Sequence, residues 1–103
     1  MTFEHVVSEH LAFTSTTFTK STSVGALKHA KREINEVIAD IKNKAPKDNK
    51  VIEYADIFGC ITDSANREGI SFEEILIAWH AKLQINKERD WKYNGDGSYS
   101  HIK

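Results

Sequence analysis

Glu33 and Glu36 lie three residues apart, and Glu53 and Asp56 repeat that spacing. In a helix, side chains at i and i+3 project from one face, so each pair aims two carboxylates at one point. Two such helices packed together would form a four-carboxylate cage. Hard divalent cations take oxygen ligands of this kind and bridge phosphate groups. A single E-x-x-E is usually a solvent-facing acidic edge, because Glu is a common helix former. The recurrence of the pair favours the metal reading over that one.

The neighbouring residues sharpen it. On the segment carrying the first pair, His29, Glu33, Glu36 and Asp40 fall on one flank of the apolar face, while Lys28, Arg32 and Lys42 fall on the other. On the segment carrying the second pair, Glu53, Asp56, Cys60 and Asp63 form one stripe, with no basic residue before Arg67. Acids on a largely apolar helix need compensation, and a bound cation supplies it. Further on, Ile75, Trp79, Lys82, Asn86 and Arg89 share one narrow helical arc, with three hydrogen-bond donors toward its end. Such donors can hold phosphate oxygens and neutralise charge developing on a pyrophosphate leaving group. The plainer alternative for Lys82 and Arg89 is a surface stripe with snorkelling stems. Phe18 and Trp91 are candidates for stacking on a base, whereas Trp79, at helical spacing, reads as core. The five histidines show no H-x-x-x-H spacing and receive no chemical role. A G-x-S-x-G elbow and a G-x-x-x-x-G-K-[ST] loop are both missing, which argues against serine hydrolases and P-loop enzymes.

The elements that would position these residues are helical. Phe3, Val6, Val7, His10 and Leu11 mark a short first helix, and the Ser/Thr-rich stretch from Thr14 to Ser23, which contains Phe18, breaks the pattern. A second helix from about Val24 to Lys42 would bury Leu27, Ala30, Ile34, Val37, Ile38 and Ile41, stopping before Asn43-Lys44-Ala45-Pro46. The segment up to Lys50 reads as a solvated linker. A third helix, about Val51 to Glu68, is apolar through Ile52, Ala55, Ile57, Phe58, Ile61 and Ala65, ends at Gly69, and is expected to be the most deeply buried. Ser71 and Glu74 form a capping-box signature for a fourth helix through Ile75, Leu76, Trp79, Leu83 and Ile85 to about Asp90. The tail from Trp91 is polar and contains glycine, and strand signals are weak throughout.

A chain of 103 residues supports one domain with a modest core, near the size where oligomerisation often supplements it. Fourteen basic against fifteen acidic residues leave no basic excess for coating a nucleic-acid polymer. Cys60 is the lone cysteine, so neither an intramolecular disulfide nor a cysteine metal knuckle can form. The first residues are not a secretory leader, and no apolar run approaches the ~18 residues that a membrane span needs. A soluble cytoplasmic protein is expected, in the host cytoplasm if a phage encodes it.

With these residues in view, the chain resembles the MazG-like all-α nucleoside triphosphate pyrophosphohydrolases, whose signature is E-x-x-E on one helix and E-x-x-D on the next, here Glu33, Glu36, Glu53 and Asp56. It is most similar to the phage and bacterial dATP/dGTP pyrophosphohydrolase branch. That likeness is carried by Thr17-Phe18, by the run from Lys28 to Glu33, by the run from Ala81 to Trp91, and by the closing Asp96-Gly97 and His101. The loop after Phe18 reads Thr19-Lys20-Ser21, where many relatives have a Gly/Pro-containing turn. The resemblance implies an all-α fold of about four helices assembled as a homodimer or homotetramer. It also implies Mg²⁺, or Mn²⁺ in its place, at two or more ions per site, and cleavage of a purine deoxynucleoside triphosphate between the α and β phosphates. Glu33 would orient or deprotonate the attacking water or serve as a plain ligand. Glu36, Glu53 and Asp56 would hold metal, Lys82, Asn86 and Arg89 would clamp phosphates, and Phe18 and Trp91 would face the base. Two alternatives stand beside this reading: the same chemistry on dUTP or dCTP, because a carboxylate cage is blind to the base, and a helical interaction protein without catalysis.

Overall fold

A computed structural model describes residues 1–102. They form four helices, α1 Phe3–Thr17, α2 Ser23–Lys42, α3 Lys47–Arg67 and α4 Phe72–Lys87, followed by strands β1 Asp90–Tyr93 and β2 Tyr99–Ile102. Two compact units result, Met1–Phe72 and the residues from Glu73 onward. None of the described helices is long and apolar enough to cross a membrane.

In the first unit, α1 starts where the Thr2 hydroxyl accepts the His5 N–H at 3.1 Å. It does not stop near Leu11, as the polar stretch suggests, but runs to Thr17. The hydroxyls that should compete with the helix bond back into it instead: Thr16 donates to the carbonyls of Ala12 and Phe13. The expected loop therefore shrinks to residues 18–22. Thr22 caps α2 by accepting the Gly25 N–H at 2.9 Å. α2 ends at Lys42 as the sequence suggests, and Lys44 turns the chain with φ of 55°. The presumed linker is another correction, because α3 begins at Lys47. Pro46 presets the extended entry and Asp48 sits in the first turn, where the helix dipole favours an acid. At the other end Gly69 adopts φ of 75°. The Ile70 N–H reaches Ala65 O at 2.9 Å and the Gly69 N–H reaches Asn66 O at 3.0 Å, which is a Schellman closure that a residue with a Cβ would strain.

Packing follows the short connection. α2 lies along α3, and α1 packs on α3. Ala26, Ala30 and Val37 of α2 are buried together with Thr14, Thr62, Asp63 and Ser64. The close approach of α1 depends on Gly59, since a Cβ there would meet the His10 ring at 3.0 Å. His10 Nε2 lies 3.1 Å from Gly59 O. The expected burial is otherwise wrong for one chain: Leu27, Ile34, Ile38 and Ile41 of α2 are exposed, as are Phe58, Ile61 and Ile52, the last at 63 %. α3 is thus not the deepest helix by its apolar residues. Its apolar cylinder exceeds what two neighbouring helices cover.

In the second unit α4 begins directly after Ser71, where the capping signature locates its start. None of its residues is buried, and Trp79, read as core, is 61 % exposed. α4 stops at Lys87 rather than Asp90. The Glu88 N–H bonds to Ile85 O and the Arg89 N–H to Asn86 O, which tightens the last turn. The tail then forms an antiparallel hairpin, with Trp91 opposite His101 and Tyr93 opposite Tyr99. Their rings meet at 6.1 Å and 5.2 Å between centroids, cross-strand pairs of the kind that stabilise a two-stranded ribbon. Gly95 and Gly97 take the positive φ of the turn. Asp96 accepts from both the backbone and the hydroxyl of Ser98, which lowers its carboxyl below the usual range.

Candidate active site

The acids of α2 and α3 approach one another because the short turn between the helices sends them back in opposite directions. Glu53 is the focus. Asp40, Glu36 and Glu33 of α2 all act on its carboxyl, Asp40 most strongly. With both groups ionised, neither Asp40 nor Glu53 can donate, and Glu53 Oε2 is buried without a hydrogen-bond partner. A hydrogen bond with Asp40 is the main influence on the Glu53 carboxyl. It pushes the Glu53 carboxyl up to about 7, with burial and the charges of Asp40, Glu36 and Glu33 adding to the effect. Asp40 belongs to the acidic flank of α2, but the E-x-x-E spacing does not include it. Its separation from Glu36 is the i, i+4 step that extends the same stripe.

Farther along the pair of helices, Cys60 senses Glu33, Asp56 and Asp63. Burial foremost, and then these charges, raise its thiol, while Arg32 opposes them. The thiol stays protonated and poorly nucleophilic. Glu33, with 15 % of its side chain exposed, has its Oε1 3.4 Å from His29 Nε2. The neutral or protonated imidazole can orient that carboxylate, a role the histidine spacing gave no reason to assign.

Among the described residues, no three His, Cys, Asp or Glu side chains stand close enough to hold an ion as they are. Glu33, Glu36 and Asp40 of α2 act on Glu53, Asp56 is not among the groups that do, and the expected four-carboxylate cage is not assembled among the described residues. The chemistry of this set nevertheless fits a cation, because the buried oxygen of Glu53 lacks a donor and every group around it is an acceptor.

Phe18 and Asp56 both border a cleft of about 1170 Å³ in the first unit, together with His29, Arg32 and Cys60. Phe18 is the C-cap of α1, 47 % exposed, and packs edge-on against Phe13 at 5.4 Å. In the second unit Lys82 and Asn86 lie on α4, but Arg89 falls in the bend before β1, so the single helical arc does not hold for it. Asn86 Oδ1 is buried without a partner. The Asn86 carbonyl accepts the indole N–H of Trp91 at 3.0 Å, which ties the start of the hairpin to the end of the helix.

A family model of dATP/dGTP pyrophosphohydrolases matches residues 6–103. Among solved structures, the cyanophage S-2L MazG-like pyrophosphohydrolase, bound to dGDP and three catalytic Mn²⁺ ions per active site, is similar at 26 % identity with a TM-score of 0.78, over 100 % of this chain and 99 % of that one. The described helices follow this MazG-like all-α fold, and the hairpin is an addition to the helices expected from the sequence. No curated protein matches the chain.

Proposed function

Because this chain belongs to the dATP/dGTP pyrophosphohydrolase family, we propose that it cleaves a purine deoxynucleoside triphosphate, dGTP or dATP, between the α and β phosphates in a reaction dependent on Mg²⁺ or Mn²⁺. The observation that carries the reading is the convergence of α2 and α3 acids on Glu53, whose buried oxygen lacks the partner a divalent cation would supply. The dGDP and Mn²⁺ held by the cyanophage relative support it.

Glu33, Glu36, Glu53 and Asp56 would hold two or more ions. When bound, these supply charge neutralisation for the triphosphate oxygens and acidify the attacking water. Glu33, steadied by His29, orients that water and accepts its proton. The water oxygen bonds to the α-phosphorus as the bond from phosphorus to the bridging oxygen breaks. The bonding pair leaves with pyrophosphate, and the nucleoside monophosphate remains. Lys82, Asn86 and Arg89 donate to the polyphosphate oxygens and to the charge growing on the leaving group. Phe18 and Trp91 offer aromatic faces to the base. The exposed apolar rows of α2 and α3 support a homodimer or homotetramer, and a soluble nucleotide suits a cytoplasmic enzyme.

The test is release of pyrophosphate and monophosphate from dGTP, dATP, dCTP, dUTP and the ribonucleotides, with and without Mg²⁺ or Mn²⁺. Release confined to purine deoxynucleotides and to metal-containing reactions is expected. Glu36→Gln and Asp56→Asn should each lower turnover at least ~100-fold while keeping the helical spectrum. Full activity in both variants would refute the site, and a preference for dUTP or dCTP would refute the base assignment.

A further inference from the structure

The connection from α1 to α2 carries Phe18, and its path is fixed from the far end of α3. Arg67 uses four of the five N–H groups of its guanidinium. Nε donates to Asp63 Oδ2 at 3.2 Å and Nη1 to Ser21 O at 2.9 Å, while Nη2 donates to Phe18 O at 3.1 Å and Thr14 O at 3.3 Å. Asp63, 5 % exposed, also accepts the Thr14 hydroxyl at 2.8 Å on its other oxygen. One turn away, the Ser64 hydroxyl donates to Ser23 O at 2.8 Å. α1 has no basic residue in its own last turn. Arg67 therefore brings the positive charge that its C-terminal carbonyls favour from about fifty residues downstream.

This is more than a helix cap, because the held segment borders the cleft. Thr14, Phe18, Ser21 and Asp63 line the same cleft as Asp56. Phe18 is half exposed, so its place at the cleft depends on where its backbone is held as well as on its contact with Phe13. We propose that Arg67, oriented by Asp63, is a positioning residue for nucleotide recognition: by fixing the carbonyls of Thr14, Phe18 and Ser21 it sets the placement of Phe18 against the base. The proposal rests on the pyrophosphohydrolase reading and on Phe18 facing the base.

The experiment compares the full-length wild type with Arg67→Ala, Arg67→Lys, Asp63→Asn, Phe18→Ala and the Arg67→Ala/Phe18→Ala double variant. It measures kcat and KM for dGTP, dATP, dCTP and dUTP, Mn²⁺ affinity by calorimetry, and the rate of tryptic cleavage after Lys20. Arg67→Ala should raise KM for the preferred nucleotide about 10-fold or more, the scale of a lost set of charged hydrogen bonds. Its kcat should stay within about 3-fold and its Mn²⁺ affinity should not change, because uniform binding rather than chemistry is lost. Preference among bases should narrow, Lys20 should be cut faster, and Arg67→Lys should recover part of each effect. The double variant should bind no worse than Phe18→Ala alone, since both changes act through one group. A folded Arg67→Ala with unchanged KM and base preference overturns the proposal. So do additive effects in the double variant, and so does a joint loss of kcat and Mn²⁺ affinity for every nucleotide, which marks a merely structural role. Should Arg67→Ala fail to fold, Arg67→Lys and Asp63→Asn decide by the same criteria. A wild type inactive on every nucleotide sinks the pyrophosphohydrolase reading and the role of Phe18 with it. In that event unchanged cleavage after Lys20 in Arg67→Lys and Asp63→Asn would show separately that no clamp exists.

Discussion

Asp40 of α2 faces Glu53 of α3, and a hydrogen bond with Asp40 is the first of the influences that raise the Glu53 carboxyl. Asp40 foremost, then burial and the charges of Glu36 and Glu33, push the Glu53 carboxyl from the ordinary 4.5 up to about 7. The folded state therefore binds more protons than the unfolded chain across that window, and stability falls as pH rises through it. Mn²⁺ needs the ionised form, so its binding should expel up to about one proton per site near pH 6.5 and weaken as pH drops further. Calorimetry in buffers of different ionisation enthalpy measures this directly. Asp40→Asn removes the repelling charge, lowers the Glu53 carboxyl and should diminish the release. Binding without proton release between about pH 6 and 7 would contradict the raised Glu53 carboxyl.

Gly59 and His10 give a prediction about sign. Alanine is favoured over glycine inside a helix by ~1 kcal/mol, but at position 59 its Cβ would meet a ring held by its bond to Gly59 O. Overpacking of this kind costs ~1–3 kcal/mol, so Gly59→Ala should destabilise the protein by about 1 kcal/mol in urea unfolding. In a His10→Ala background the same change should stabilise it. Equal effects in the two backgrounds would show that the ring does not set the approach of α1.

Ile34, Ile38 and Ile41 recur at helical spacing on α2, and each is between two fifths and one half exposed. A face of this kind is normally covered, each buried isoleucine being worth ~1.5–3 kcal/mol. Sedimentation should give a dimer or tetramer for the wild type. Ile38→Glu, which puts a charge into that face, should give single chains of unchanged helicity. A wild type of single-chain mass, or an Ile38→Glu variant of unchanged mass, would rule out an interface there.

The acidic pairs and α2 could be read because both obey the helical period and α2 has a polar start and a clear stop at Lys42. The start of α3 could not, since Lys47 to Lys50 offer no apolar residue to register a period. The hairpin stayed hidden because Trp91, Tyr93 and Tyr99 alternate for only two residues on each side of a glycine-rich turn. Burial was misjudged for a different reason: periodicity says which face is apolar, not whether the chain alone can cover it. For the proposed site, the E-x-x-E and E-x-x-D spacings single out Glu33, Glu36, Glu53 and Asp56 but give no role to Asp40 or His29, whose influence depends on what lies across from them. Arg67 read as a break in an acidic stripe. Its main-chain partners are Thr14, Phe18 and Ser21, some fifty residues away, and no local pattern encodes those contacts.

Arg67 grips main-chain oxygens, which are the same whatever side chain stands at each position. Substitutions at Thr19, Lys20 or Ser21 leave that grip intact as long as the chain can follow the same path. The segment beside the cleft is thus free to diversify while its anchor stays put, so a lineage could reshape the rim of that cleft without rebuilding the scaffold that presents it.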